Sequence, residues 1–168
     1  MEAAVEIEAL TPCAFSPFGA VMSAPTREPD IASEFNRYWD QVVPFRVVGI
    51  PKIGFLRVRS RAVSVSWLER HLAHTQALIP LGGHPCVIAV ALQAAAAPES
   101  TDVRVLLLDH STGVVLDNGS WHHPLFPVVP GTEIMLLLAS ETMDTDMHMV
   151  QLPAQVGLWL WSEGEGDA

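Results

Sequence analysis

The feature that most constrains this chain is a series of short apolar segments, each closed by Gly, Pro, Asn or Asp. "HPCVIAVAL", "DVRVLLLD", "TGVVLDNG", "EIMLLLAS", "MHMVQLP" and "VGLWLW" follow one another at fairly even spacing. That pattern predicts many short strands, and hence an all-β sandwich or barrel. The stretch "RAVSVSWLERH" adds a parity. Val63, Val65 and Trp67 share one face, with Ala62, Ser64 and Ser66 on the other, because strand side chains alternate with period two. Helical pieces are expected near the N-terminus. "TPCAFSPFG" offers Thr11 as a cap and Pro12 at the first helical position. "SEFNRYWDQVV" reads as a second short helix capped by Ser33. "APTREPDIAS" and "QAAAAPES" read as loops.

At 168 residues the chain has the size of one domain, taken as residues 1–162 with an acidic, disordered tail at 163–168. Nine basic against nineteen acidic residues give a formal charge of −10. A nucleic acid or an anionic membrane is therefore a poor partner. A small anionic substrate remains open, since a few arginines can reverse the field locally. Cys13 and Cys86 stand far apart in unlike surroundings. Cys86 reads as a small buried hydrophobe, and no disulfide framework follows. "MEAAVEIEAL" lacks the apolar stretch of a signal peptide, and the apolar runs are too short to span a bilayer. A soluble cytoplasmic protein is the expectation.

Candidate chemistry gathers in two places. If Val63, Val65 and Trp67 face inward, Glu69 and His71 do too, Arg70 points away, and Gln76 follows five residues on. A buried carboxylate and imidazole need pairing, solvation or a ligand. A wet barrel mouth, with Glu69 merely bonded to His71, is about as well supported here as a functional site. The second place is "LDNGSWHHPLF", where Asn-Gly signals a two-residue hairpin turn before Trp121, His122 and His123. Adjacent residues face opposite sides, so without a bulge at most one imidazole points inward, and either histidine taken alone reads somewhat better as structural. In "RVRSR", Arg57, Arg59 and Arg61 share the parity of Trp67. Arg57 is the candidate carboxylate clamp, its guanidinium matching a carboxylate fork. Arg59 and Arg61 read better as solvated surface.

Together the two clusters resemble a cupin. The first cupin motif sets two histidines one residue apart and a glutamate five past the second, and here Glu69, His71 and Gln76 stand in those places. The second has the form Pro-x-Gly-x-x-His, matched by Asp117-x-Gly119-x-x-His122. The resemblance implies a mainly β fold, a cupin-type double-stranded β-helix (jelly-roll) barrel with one or two short N-terminal helices. No cofactor is certain. A divalent metal ion is allowed, with Glu69, His71, Gln76 and His122 as its ligands, a weaker set than three histidines and a glutamate.

More narrowly, "LERHLAHTQALIPLGGHPCVIAVA", "GSWHHPL" and "LTPCAFSPFGAVM" are similar to three motifs of the ureidoglycolate lyase family, in order and across most of the chain. "GFLRVR" sits where the family has a Phe-Arg element. The resemblance implies cleavage of ureidoglycolate to glyoxylate and urea in purine degradation, by a cytosolic homodimer acting on a small anionic substrate. It implies His122 or His71 as base and Glu69 as its orienter or partner acid. Arg57 would clamp the carboxylate and Gln76 meet the urea side. Trp121 and His123 are further candidates for substrate contact, with His123 on the outward or dimer-facing side. Two departures stand out. Asp30–Ser33 replace the family's Asn-x-Gly-Thr, and Ala139-Ser140 replace a charged pair. Both remove polar groups, so a repurposed cupin enzyme (isomerase, cyclase or lactone-forming) acting on another small acid is the alternative. A non-catalytic binder ranks below both.

Overall fold

The computed structural model describes residues 3–59, 64–93 and 96–158. Two strands open the chain, β1 (Ala3–Val5) and β2 (Ile7–Ala9), followed by the helical turn α1 (Pro12–Phe15) and β3 (Gly19–Met22). A small ribbon comes next, β4 (Ile31–Ala32) with β5 (Arg37–Tyr38). Then come β6 (Pro51–Arg57), β7 (Ser64–Arg70), β8 (Gln76–Pro80) and β9 (Cys86–Ala91). A 3-10 turn precedes β10 (Arg104–Leu108), which leads to β11 (Gly113–Leu116), β12 (Trp121–His122) and β13 (Phe126–Pro127). The chain closes with β14 (Glu133–Ala139), the helical turn α2 (Thr142–Thr145) and β15 (His148–Leu158).

These strands make an eight-stranded sheet, ordered β1-β15-β7-β12-β9-β10-β2 with β13 on β9, and a five-stranded sheet, ordered β3-β11-β8-β14-β6. The fold is mainly β, as the strand pattern predicts, with two sheets facing each other across a common core. The main core is filled from both sheets, by Ile88, Val90 and Leu106 on one side and Leu78, Leu116 and Ile134 on the other, with Phe15 and Phe18. A second core covers the opposite face of the large sheet, where Val65, Leu68, Ala89, Val105 and Trp121 pack. All six residues of β9 are buried, alternating between the two cores. That explains why "CVIAVA" is a continuous apolar run rather than an alternating one.

The structure corrects several expectations. The segment from Ser33 onward forms the ribbon β4–β5, not a helix. The Ser33 hydroxyl does accept backbone N–H bonds, from Phe35 and Asn36, but it caps a turn between strands. Phe35 is 89% exposed, so a helix here would have no core on which to bury a face. The second helical piece is α2, late in the chain. The alternation in β7 also slips. Val65 packs with Leu68 in the second core, while Trp67 and Glu69 face the other way, where pairing with β15 is irregular between Gln151 and Val156. "MHMVQLP" and "VGLWLW" belong to one strand rather than two as far as Leu158. Val63, Arg61, the "WLW" run beyond Leu158 and the acidic tail lie outside the described residues.

The N-terminal motif supports the turn before β12. Thr11 Oγ1 accepts the Ala14 N–H at 3.1 Å, capping α1, with Pro12 at its first turn as expected. The chain then reaches Phe18, whose carbonyl accepts both the Asp117 N–H and the Ser120 hydroxyl at 2.9 Å. Gly19 follows at φ +151°, and a Cβ there would stand 2.0 Å from the Val115 carbonyl oxygen. Gly19→Ala should therefore cost about 3 kcal/mol of unfolding free energy, because two paired strands must separate to admit one methyl. A urea melt of the variant against the parent protein measures this, and an unchanged midpoint would refute it.

Candidate active site

The turn at Asp117–Ser120 crosses from the small sheet to the large one, since β11 pairs with β3 and β8 while β12 pairs with β7 and β9. It is not the hairpin that Asn-Gly suggests. Gly119 takes a φ of +86° and its N–H donates to the His71 carbonyl, while the Asn118 amide donates to the Leu72 carbonyl. These bonds aim β12 between β7 and β9, placing His122 directly opposite Glu69. Cross-strand partners share a face. Both side chains therefore enter a cavity of about 500 Å³ together with Gln76 from β8 and Lys52 from β6. Trp67, Leu136, Leu138, Met143, Met147 and Met149 supply much of its apolar wall.

Four of the expected residues are brought together. Ligand atoms of Glu69, His71 and His122 all lie within 4.8 Å of one another. The His71 and His122 rings are 5.4 Å apart, and His122 Nε2 stands 3.5 Å from Glu69 Oε1. Each histidine uses Nδ1 on a backbone carbonyl, His71 on Asp146 and His122 on Ser120, both at 3.0 Å. A carbonyl only accepts, so Nδ1 carries the proton in the neutral ring and Nε2 keeps a lone pair. Both Nε2 atoms are buried without a hydrogen-bond partner, and so is Gln76 Oε1. Buried polar atoms left unpaired in this way are costly, and a water, an ion or a substrate group would satisfy them.

The charges are set by the same neighbours. Burial pushes the Glu69 carboxyl up, but the adjacent His122, then His71 and His123, outweigh it and hold the group below the ordinary carboxylate range. Burial and His122 hold the His71 imidazole below its usual value, against the opposing pull of Asp146 and Glu69. The cluster at neutral pH thus presents a carboxylate beside a neutral His71. Cys86, deep in the core, has its thiol pushed up to about 12 by burial and takes no part.

Other expected residues fall elsewhere. Arg57 is on the exposed face of β6, paired with Glu133, because Lys52, Gly54 and Leu56 take the inward positions. Arg59 is exposed. His123 is 3% exposed rather than outward, with its ring stacked on Phe126 at 4.3 Å and against Trp67 at 4.4 Å. Trp121 faces the second core, under the Arg70 guanidinium at 4.2 Å. Arg70 therefore points away from the cavity, as parity predicts. The departure at Asp30–Ser33 lies in the exposed ribbon. The one at Ala139-Ser140 adjoins the site, where the Ser140 carbonyl accepts a bond from Lys52 Nζ at 2.9 Å.

Sequence reasoning missed Lys52, Asp146 and the methionines. The alternation in "PKIGFLR" carries the signal for Lys52, which shares the inward parity of Gly54 and Leu56. Asp146 carries no such signal. Its carboxylate accepts the Leu72 and Ala73 N–H groups and its carbonyl holds His71, all more than seventy residues away in sequence.

The ureidoglycolate lyase family model matches residues 2–157. A relative named ureidoglycolate lyase from Azotobacter vinelandii is 30% identical, over 79% of this chain and 83% of its own. One of the same name from Pseudomonas syringae pathovar syringae is 31% identical, over 84% of this chain and 87% of its own. Among solved structures, the sugar 3,4-ketoisomerase QdtA from Thermoanaerobacterium thermosaccharolyticum is similar at a TM-score of 0.47 and 21% identity, over 77% of this chain and 85% of that one. With a family match running from residue 2 to residue 157 and relatives at this identity across most of both chains, this protein belongs to the ureidoglycolate lyase family.

Proposed function

We propose that the cavity cleaves ureidoglycolate to glyoxylate and urea by moving one proton. The observation that carries this is the convergence of His122, the Glu69 carboxylate and the Gln76 amide at one cavity, with Lys52 in its wall and His71 directly beside Glu69 and His122. His122 Nε2 takes the carbinol hydroxyl proton as the carbonyl forms and the carbon–nitrogen bond breaks. It then returns that proton to the leaving ureido nitrogen. Glu69, ionised beside it, stabilises the imidazolium in between. Lys52 replaces Arg57 as the clamp for the substrate carboxylate. Gln76 Oε1 and His71 Nε2 accept hydrogen bonds from the urea N–H groups. On this reading the protein acts in purine degradation, as a cytoplasmic homodimer.

One observation favours the second reading, an enzyme for a different small acid. Among the described residues, Lys52 is the one cation in a lining that is otherwise largely apolar. Glyoxylate and urea release from ureidoglycolate separates the two readings. Under the first, Glu69→Gln and His122→Ala should each lower kcat/KM about 100-fold or more. Lys52→Met should raise KM about tenfold or more, the worth of a charge-assisted hydrogen bond. Arg57→Ala should leave both constants within about twofold, consistent with an exposed ion pair. Full activity in Lys52→Met would rule Lys52 out as the clamp.

The same groups fit a divalent ion. Two imidazole lone pairs, a carboxylate and an amide oxygen, three of these atoms otherwise orphaned, suit a borderline cation such as Zn²⁺. Glu69, His71, Gln76 and His122 would hold it, and when bound it would supply a Lewis acid. The Nδ1 bonds to Asp146 and Ser120 are the outer contacts that fix such ligands. Chelator-treated protein should keep releasing urea, with His122 carrying the proton. Added Zn²⁺ should bind at one site per chain by titration calorimetry and should not bind His71→Ala. Activity that appears only with the ion would assign the lone pairs to metal binding instead.

What supports the homodimer is β6, the outermost strand of its sheet and paired on one side only among the described residues, with Ile50 and Ile53 each 73% exposed. Such an edge invites a partner strand, and symmetric pairing with a second copy covers it. Ile53→Glu should shift the protein from dimer to monomer in light scattering with its circular dichroism unchanged. A parent protein that is monomeric at tens of micromolar would refute the pairing.

A further inference from the structure

We infer that the substrate carries an apolar group. The site suits a 2-hydroxy-2-ureido acid whose distal nitrogen bears a hydrocarbon substituent, more than it suits unsubstituted ureidoglycolate. This rests on the lyase reading above and specifies its substrate.

Size is the first argument. Ureidoglycolate is far smaller than a drug molecule, whereas cavities of roughly 300–1,000 Å³ bury drug-sized ligands. This one measures about 500 Å³. Polar groups are the second. Lys52, Glu69, Gln76, His122 and the Trp67 indole N–H are the hydrogen-bonding groups among the lining side chains, and the first four are used by the acid, the hydroxyl or the ureido group. Beyond Glu69, Gln76 and His122, the side chains of the described lining are Lys52, Trp67 and apolar groups, which offer a second urea N–H no strong acceptor.

The third argument is what occupies that wall. Three of the chain's six methionines, Met143, Met147 and Met149, line this one cavity. Met149 is the cross-strand partner of Glu69, so apolar surface begins beside the catalytic carboxylate. Met143 and Met149 are 51% and 53% exposed at the mouth. Exposed apolar surface continuous with a reactive cluster gains most when a ligand covers both together. Methionine is flexible and polarisable, so it accepts substituents of varied shape. The segment carrying these residues is held at the mouth by Asp146 through the backbone of Leu72 and Ala73.

The chemistry is unchanged by the substituent. The carbon–nitrogen bond breaks and its electron pair leaves with nitrogen. The hydroxyl proton reaches that nitrogen through His122, and the hydroxyl carbon becomes the aldehyde of glyoxylate. The second product is the substituted urea, and no oxidant or reductant is needed.

The test compares ureidoglycolate with its N′-butyl derivative on the full-length protein, following glyoxylate release from both. About fourfold in binding per buried methylene predicts at least a tenfold higher kcat/KM for the butyl substrate. Met149→Gln and Met147→Gln should each lower that ratio severalfold, and Met147→Leu should keep it. Butylurea should raise the melting temperature at lower concentration than urea does. Equal or better turnover of ureidoglycolate, with no difference between the two ureas, would overturn the inference and leave the lyase reading standing. No glyoxylate from either substrate would end both. If a second copy covers the methionines instead, Met149→Gln would yield monomers with the ratio unchanged, which also overturns it.

Discussion

A carboxylate on the inner face of a β-sheet loses most of its hydration, at a cost of several kcal/mol unless its surroundings compensate. Glu69 is such a group, 8% exposed between Met149 and His122 on the neighbouring strands. It stays ionised because β12, only two residues long, sets His122 directly across from it. So short a strand cannot hold its own register. The Asp117–Ser120 turn holds it, tied to Phe18 from one side and to His71 and Asn118's partner Leu72 from the other. The N-terminal motif, the turn and the loop after β7 thus serve one purpose, which is to keep an imidazole beside a buried carboxylate.

This arrangement explains why β9 is buried on both faces. A polar cluster inside the cavity contributes little net stability, so apolar burial must come from elsewhere. The main core receives Cys86, Ile88 and Val90 from β9, and the second core receives Val87, Ala89 and Ala91. His123, stacked between Trp67 and Phe126, joins the floor of the site to that second core. Its value is in packing, and the neighbouring His122 is the one that faces Glu69.

Local signals were legible. Thr11 and Pro12 start a helical turn as their chemistry dictates, and of the adjacent His122 and His123 it is His122 that lines the cavity. Signals that had to cross a break were not. Arg57 shares a parity with Trp67 only by a count that runs on past the end of β6, so that parity does not fix its side. Val65 fails for a related reason, because an irregular pairing with β15 shifts the alternation by one. Ser33 supplied a cap whose meaning depended on whether a core lay nearby, and none did. Asp146 reaches the site only through a contact spanning 75 residues, which no spacing rule can foresee.

The charge distribution bears on how an anion could be bound at all. With a formal charge of −10 the exterior repels a carboxylate, so long-range steering cannot help. Arg27, Arg57 and Arg104 are each paired with an acidic side chain, and Arg70 lies over Trp121. Lys52 alone among the described lining residues brings positive charge into the cavity, held by the Ser140 carbonyl. A single ammonium against an apolar wall acts in a lower dielectric than the surface pairs do, so it attracts a carboxylate more strongly at short range. It does so over a few ångströms only. The remaining affinity must then come from the wall itself, which is why the methionines and Lys52 belong to one account of the substrate.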